Sequence, residues 1–236
     1  MNKLDIQDLR WAVRRLPKNL KKLMEDPEWS ERVFVGGGYL RSIVSGEKVN
    51  DVDVFVKSKE DAELLANKLA FTDKDIYKTD NAYTIRGFTT VQIIHRWVFE
   101  KPEDVSNSFD FTCCCAVIYF NPTDKQWDSF CDERFYIDLA SKRLVYRSPI
   151  RNEDAGGSML RVLKYYQRGY RIPLDSLGAV MARMVCAIRL NELPEREDPE
   201  YEPFIAKLLT AMLVEVDPAI DPLHVAHLAS FKENMP

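Results

Sequence analysis

Val33-Phe-Val-Gly-Gly-Gly-Tyr-Leu-Arg-Ser-Ile-Val-Ser-Gly-Glu-Lys-Val-Asn-Asp-Val-Asp-Val-Phe-Val56 decides the fold. It has three parts. Val33–Val35 is a short β-branched and aromatic run, a strand, and it enters the triple glycine 36–38. Tyr39–Ser45 has the spacing of a helix, stopped near Gly46. Asp51–Val56 alternates acidic and apolar residues, the period-two pattern of a half-buried strand. A strand that turns through glycine into a helix presents backbone N–H groups and a positive dipole end to anions, and glycine keeps side chains out of their way. Alternation places Asp51 and Asp53 on one face of the second strand, with Val52 and Val54 on the other. Two adjacent carboxylates repel unless a positive charge lies between them. A pair of Mg²⁺ ions, with Mn²⁺ as the alternative, meets that need and suits phosphate chemistry.

Outward from this stretch the chain divides in two. On the N-terminal side, the apolar spacing over 4–24 predicts helix with a break at Pro17. On the C-terminal side come an amphipathic helix over 59–71, strands at 83–86 and 91–95, and a short helix at 102–106. The apolar run 109–120 reads as one buried strand. From about residue 152 the pattern is helical throughout, with helices at 153–168, 174–191, 200–215 and 222–232 between prolines. The expected fold class is α+β: a small mixed-sheet head with an N-terminal helix over 1–148, then an all-helical neck and body over 149–236.

Composition bounds what such a chain does. It has 236 residues, a net charge of −4 and 46% hydrophobic residues. That suffices for a real core and is too acidic overall for a protein held to nucleic acid by bulk charge. No apolar run reaches the roughly 18 residues of a membrane span, and residues 1–15 lack the apolar region of a secretory signal, so a cytoplasmic protein without a membrane partner is expected. Five cysteines, three of them consecutive at 113–115, make a poor disulfide framework and read as buried apolar residues. His224 and His227 have no third ligand nearby in sequence and are not read as a metal site. Charge is uneven: residues 1–22 hold seven Lys or Arg against Asp5 and Asp8. Residues 145–171 hold Arg147, Arg151, Arg161, Lys164, Arg168 and Arg171 against Glu153 and Asp154.

The Gly-Gly turn, helix and Asp-x-Asp strand resemble the nucleotidyltransferase superfamily of DNA polymerase β. Within it, the chain is most similar to the head and neck of the poly(A) polymerase and CCA-adding tRNA nucleotidyltransferase branch. That branch reads Gly-Gly-x-x-Arg-Asp and then Asp-x-Asp; here Gly37, Gly38, Arg41, Asp51 and Asp53 match, and Ser42 replaces the aspartate. Its Arg-Arg-Asp-Phe-Thr-Ile-Asn-Ala strand is similar to Ser108–Ala116, where Asp110, Phe111 and Thr112 match and both arginines and the asparagine do not. Its neck pattern fits Leu160, Arg161, Lys164, Tyr165, Gly169 and Tyr170. The superfamily places a third carboxylate on a later strand, and here Gln92 occupies that place.

The resemblance implies a Mg²⁺-dependent transfer of a nucleoside monophosphate from an NTP to an acceptor hydroxyl. Asp51 and Asp53, completed by Asp110, are the expected catalytic and metal-binding residues. Gly37, Gly38, Arg41, Arg161 and Lys164 are the expected nucleotide contacts, with Tyr165, Tyr166 and Tyr170 as candidates for stacking a base. The expected acceptor is an RNA 3′ end such as that of tRNA. The alternatives are a protein or small-molecule acceptor, or a catalytically inactive nucleotide- or RNA-binding module, which Gln92 would favour.

Overall fold

The computed structural model describes residues 2–147, 155–188 and 194–214. They form two compact units, Met1–Pro149 and Ile150–Pro236. Among the described residues no helix is long and apolar enough to cross a membrane. The candidate helix at 222–232 and the two histidines in it lie outside the described residues.

The first unit is built on a seven-stranded mixed sheet. In chain order the elements are α1 (Ile6–Arg15), α2 (Lys18–Met24), β1 (Val33–Gly36), α3 (Gly38–Ser45), β2 (Asp51–Val56), α4 (Lys59–Leu69), β3 (Ile76–Lys78), β4 (Ala82–Ile85), β5 (Thr90–Ile94), α5 (Pro102–Asn107), β6 (Ala116–Asn121), β7 (Gln126–Cys131) and α6 (Phe135–Ala140). The strand order is β3-β4-β5-β2-β1-β6-β7. Only β2 and β5 run parallel, because α4 and the β3–β4 hairpin carry the chain between them; every other neighbouring pair is antiparallel.

Strand periodicity gives the sheet two unlike faces. One carries Val35, Val52, Val54, Val91, Ile93 and Ile118, all buried. The helices α3 and α4 pack along these strands, with Leu40, Leu65, Ala66 and Leu69 buried among them. The other face carries Phe34, Phe55 and Val117, packed with Val105 of α5 and with Phe99 and Phe109. Towards the N-terminal end of β2 this second face turns polar, at Asp51 and Asp53.

Local signals explain the boundaries. Pro17 lacks an N–H and separates α1 from α2. Asp5 caps α1 by accepting from the Gln7 N–H at 2.8 Å, and Ser58 caps α4 by accepting from the Asp61 N–H at 3.0 Å. Gly46 ends α3 in the left-handed conformation, φ +69°. At the sheet edge, Asn2 exchanges backbone hydrogen bonds of 3.0 and 2.8 Å with Cys131, so the N-terminal segment covers one end of β7.

One expectation is corrected. Residues 109–120 do not form one strand. Phe111 makes an isolated bridge to Tyr146, Thr112–Cys114 is a 3₁₀ turn, and β6 begins only at Ala116. The run is continuously apolar, which a buried turn satisfies as well as a buried strand. Sequence reading also missed β3, β7 and α6.

Cys113, Cys114, Cys115 and Cys131 are free and buried, and Cys186 is exposed. The hydrogen bond to Cys114, together with burial, raises the Cys113 thiol far above the ordinary range. Burial first, then neighbouring Asp132, pushes Cys131 up to about 11. A thiol whose folded pKa is raised contributes stability below its unfolded value of about 8.5 and loses it as pH climbs through the folded value. Stability is therefore expected to decline from about pH 8.5 towards about 11, checked by denaturant melts across that range. Iodoacetamide at pH 8 is expected to label Cys186 rapidly and the four buried thiols only after unfolding, read by intact mass.

The second unit contains α7 (Ala155–Gln167), α8 (Leu174–Cys186) and α9 (Tyr201–Val214). A Cβ at Gly156 would collide with the Met212 carbonyl oxygen, so glycine permits the close approach of α7 to α9.

Candidate active site

The site is assembled where β1 ends. Gly36 is the Cα partner of Asp53 on one side and of Val117 on the other. Asp51 and Asp53 lie one above the other on the same face of β2, both half-buried. Their partners on parallel β5 are Thr90 and Gln92. The next strand adds Thr84, the partner of Gln92. On the adjoining strands the register partners are thus the neutral polar Thr90, Gln92 and Thr84 and the side-chain-free Gly36.

The turn into α3 is held from outside by an aromatic ring. Gly37 adopts φ +70° and its N–H donates to the Ala116 carbonyl at 3.1 Å. A Cβ there would lie 2.7 Å from the Phe109 ring, and one at Gly36 would lie 3.2 Å from it. Phe109 thus lies over both glycines, and packs edge-on against Phe55 at 5.7 Å. A Cβ at Gly38, the first residue of α3, would meet nothing within 4 Å. The first turn of α3 is open on that side, next to the aspartates.

Other expected residues have different places. Arg41 is 1% exposed. Its guanidinium donates to Glu47 at 2.6 Å and to the Ser42 hydroxyl at 2.9 Å. It faces inward from α3 and braces the α3–β2 loop. Asp110 is 5% exposed, and its carbonyl accepts from the Arg147 N–H at 2.7 Å. The Arg147 side chain reaches Asp132 at 2.7 Å and Asn107 at 3.3 Å, so it is engaged within the protein. Among the described residues no group of three His, Cys, Asp or Glu side chains is placed to hold a metal ion. Arg161 is half-buried and Lys164 exposed on α7, in the second unit. There Arg168 lies over the Tyr165 ring at 5.9 Å and Arg171 over Tyr166 at 4.5 Å.

Sequence reading missed a buried support beneath the site. Asp138, fully buried, accepts from the Thr112 hydroxyl at 2.6 Å and from Arg134 at 2.8 and 3.0 Å. The signal was available: Arg134 and Asp138 are four apart, one turn of helix, within an otherwise apolar segment. Phe109 and Glu47 were missed for want of any local signal, since their partners are set by tertiary packing.

Mg²⁺ is commonly held by one or two carboxylates, with water and substrate phosphates completing its shell. Asp51 and Asp53, half-buried on one face of β2, fit that demand. The neutral Gln92 leaves the site one charge short of a three-carboxylate design.

The model of the Gabija anti-defense 2 family matches residues 14–142. The chain is 25% identical over 158 residues to Gabija anti-defense 2 of Bacillus phage SPbetaL7, a match that covers 64% of this chain and 37% of that protein. Among solved structures it resembles the Thermotoga maritima CCA-adding enzyme complexed with tRNA, with a TM-score of 0.53 and 18% identity over 98% of this chain and 55% of the other. A CCA-adding enzyme with CTP gives a TM-score of 0.53 and 20% identity, covering 98% of this chain and 54% of that one. The same enzyme type with ATP gives 0.54 and 19%, with the same coverage. At these identities the likeness establishes the fold alone, one shared with the CCA-adding enzymes. The chain spans about half the length of the enzymes and 37% of the curated relative.

Proposed function

We propose a function from one premise: the chain belongs to the Gabija anti-defense 2 family. In this reading it transfers a nucleoside monophosphate from an NTP to an acceptor hydroxyl and releases pyrophosphate, and that reaction is its anti-defense activity. The observation that carries the reading is the placement of Asp51 and Asp53 on one face of β2, beside the glycine turn that opens α3.

Asp51 and Asp53 would hold Mg²⁺ or Mn²⁺. When bound, the ion supplies positive charge against the triphosphate and favours loss of the acceptor hydroxyl's proton. The α3 N-terminus, approached over Gly38, binds phosphate through N–H groups and the helix dipole, with Gly37 shaping the turn that leads into it. Asp110 serves the nucleotide's sugar rather than the ion. These roles amount to positioning and charge neutralisation, which dominate catalysis in phosphoryl transfer. The preferred acceptor is an RNA 3′ end, in keeping with the fold shared with CCA-adding enzymes.

Incubation with each labelled NTP, Mg²⁺ or Mn²⁺, total RNA and total protein tests this directly. Label on RNA supports the reading as stated, and label on protein moves the acceptor. Nucleotide binding without any transfer leaves the inactive module, which Gln92 favours. The Gln92→Glu variant addresses that point. It places a third carboxylate opposite Asp53. The half-saturating Mg²⁺ concentration for transfer is expected to fall several-fold, measured in a Mg²⁺ titration of the labelling rate.

A further inference from the structure

The cationic N-terminal helices have no part in the chemistry above, yet their surface is strongly one-sided. Residues 1–22 carry a net +5 while the rest of the chain carries −9. The fold segregates this charge further. Asp5 is occupied as the α1 cap, and Asp8 accepts from the Tyr136 hydroxyl at 2.8 Å. Lys3 pairs with Asp128 at 2.6 Å and Lys21 with Glu25 at 3.7 Å. Arg10, Arg14, Arg15, Lys18 and Lys22 remain, all exposed, and none forms an ion pair with the described residues. Arg10 and Arg14 are one turn apart on α1, as are Trp11 and Arg15. Lys18 and Lys22 repeat that spacing on α2. Trp11 is 48% exposed, with the Arg15 guanidinium 5.3 Å from its ring centre.

We infer that this surface binds the phosphate backbone of a nucleic acid, with Trp11 available to an unpaired base. Unpaired guanidinium and ammonium groups in rows, interleaved with an aromatic, match a polyanion that also carries stacking faces. A lipid surface is a poorer match. The apolar side of α1, formed by Leu9, Ala12 and Val13, is already buried in the protein, and the two apolar side chains it exposes, Ile6 and Trp11, are too few to make a face that enters a bilayer. The surface is independent of the transfer reaction and holds whether or not the chain transfers nucleotides.

The test is fluorescence anisotropy of the full chain with a labelled mixed-sequence RNA, single-stranded and duplex, from about 50 to about 200 mM salt. Affinity is expected to fall steeply with salt. The Arg10→Gln/Arg14→Gln/Arg15→Gln variant is expected to bind at least tenfold more weakly, with the log–log salt slope reduced by about 2. A charge-matched control, Lys59→Gln/Lys74→Gln/Lys125→Gln, is expected to bind like the parent. Tighter binding of the single strand, lost with Trp11→Ala, assigns the stacking role. Equal affinity of the arginine variant and the parent overturns the inference. Equal loss in the lysine control, or displacement of the RNA by polyglutamate of equal charge, does so too, since either would mean that net charge alone or an acidic protein suffices.

Discussion

Asp53→Asn is expected to lower nucleotide transfer by about 10³-fold or more, the scale on which a preorganised charge acts in a closed site. The substitution keeps shape and removes charge. The asparagine side chain would still fit beside Gly36, and the strand pairs on both sides of it would stand. One of the two carboxylates would be gone, and Gln92 across the β2–β5 pairing has no charge to replace it. In a site with a third acid, one loss leaves two carboxylates; here it leaves one. The same change at Asp51 is expected to have a comparable effect, and the double variant little more than either alone, because the two act as a unit. The melting temperature should stay within a few degrees of the parent, or rise, since removing one of two adjacent like charges relieves repulsion. Transfer rate is read with the acceptor identified by the labelling experiment, and thermal unfolding is read alongside. A variant that retains full transfer with an unchanged melt would remove the β2 aspartates from the chemistry.

How much of this was legible in the sequence follows from the range of the interactions involved. The glycine turn, α3 and β2 were legible because each is dictated locally, by glycine conformation, helical spacing and strand alternation. Gly46 marked the end of α3, and Pro17 the break between α1 and α2, for the same reason. The inward turn of Arg41 was not legible, because motif matching records a residue's identity and not the face of α3 on which it falls. The 3₁₀ turn at 112–114 was hidden by a continuous apolar run with no period to read. Its stability comes from Asp138, more than twenty residues downstream. Phe109, set apart only as one aromatic among several in its run, gains its role from a contact with glycines over seventy residues earlier.

That contact yields the second large effect. Gly37→Ala is expected to destabilise the first unit by about 3 kcal/mol. Holding a non-glycine residue at positive φ costs about 1–2 kcal/mol, and forcing extra volume into a packed region adds about 1–3 kcal/mol. The new methyl would lie 2.7 Å from the Phe109 ring, inside contact distance. The ring cannot simply withdraw, since it is also packed against Phe55 and the cluster around Phe34 and Val105. For a chain of this size the loss corresponds to a melting point lower by roughly 6–12 °C. The two causes separate in a double-mutant cycle. Phe109→Leu alone removes aromatic packing, but combined with Gly37→Ala it makes space for the methyl, so the double variant is expected to be more stable than the sum of the single losses by about 1 kcal/mol or more. Strict additivity would place the whole penalty in the backbone and none in the ring. Either way nucleotide affinity should fall with Gly37→Ala, because the turn that aims the first N–H groups of α3 beside Asp53 is the element being strained.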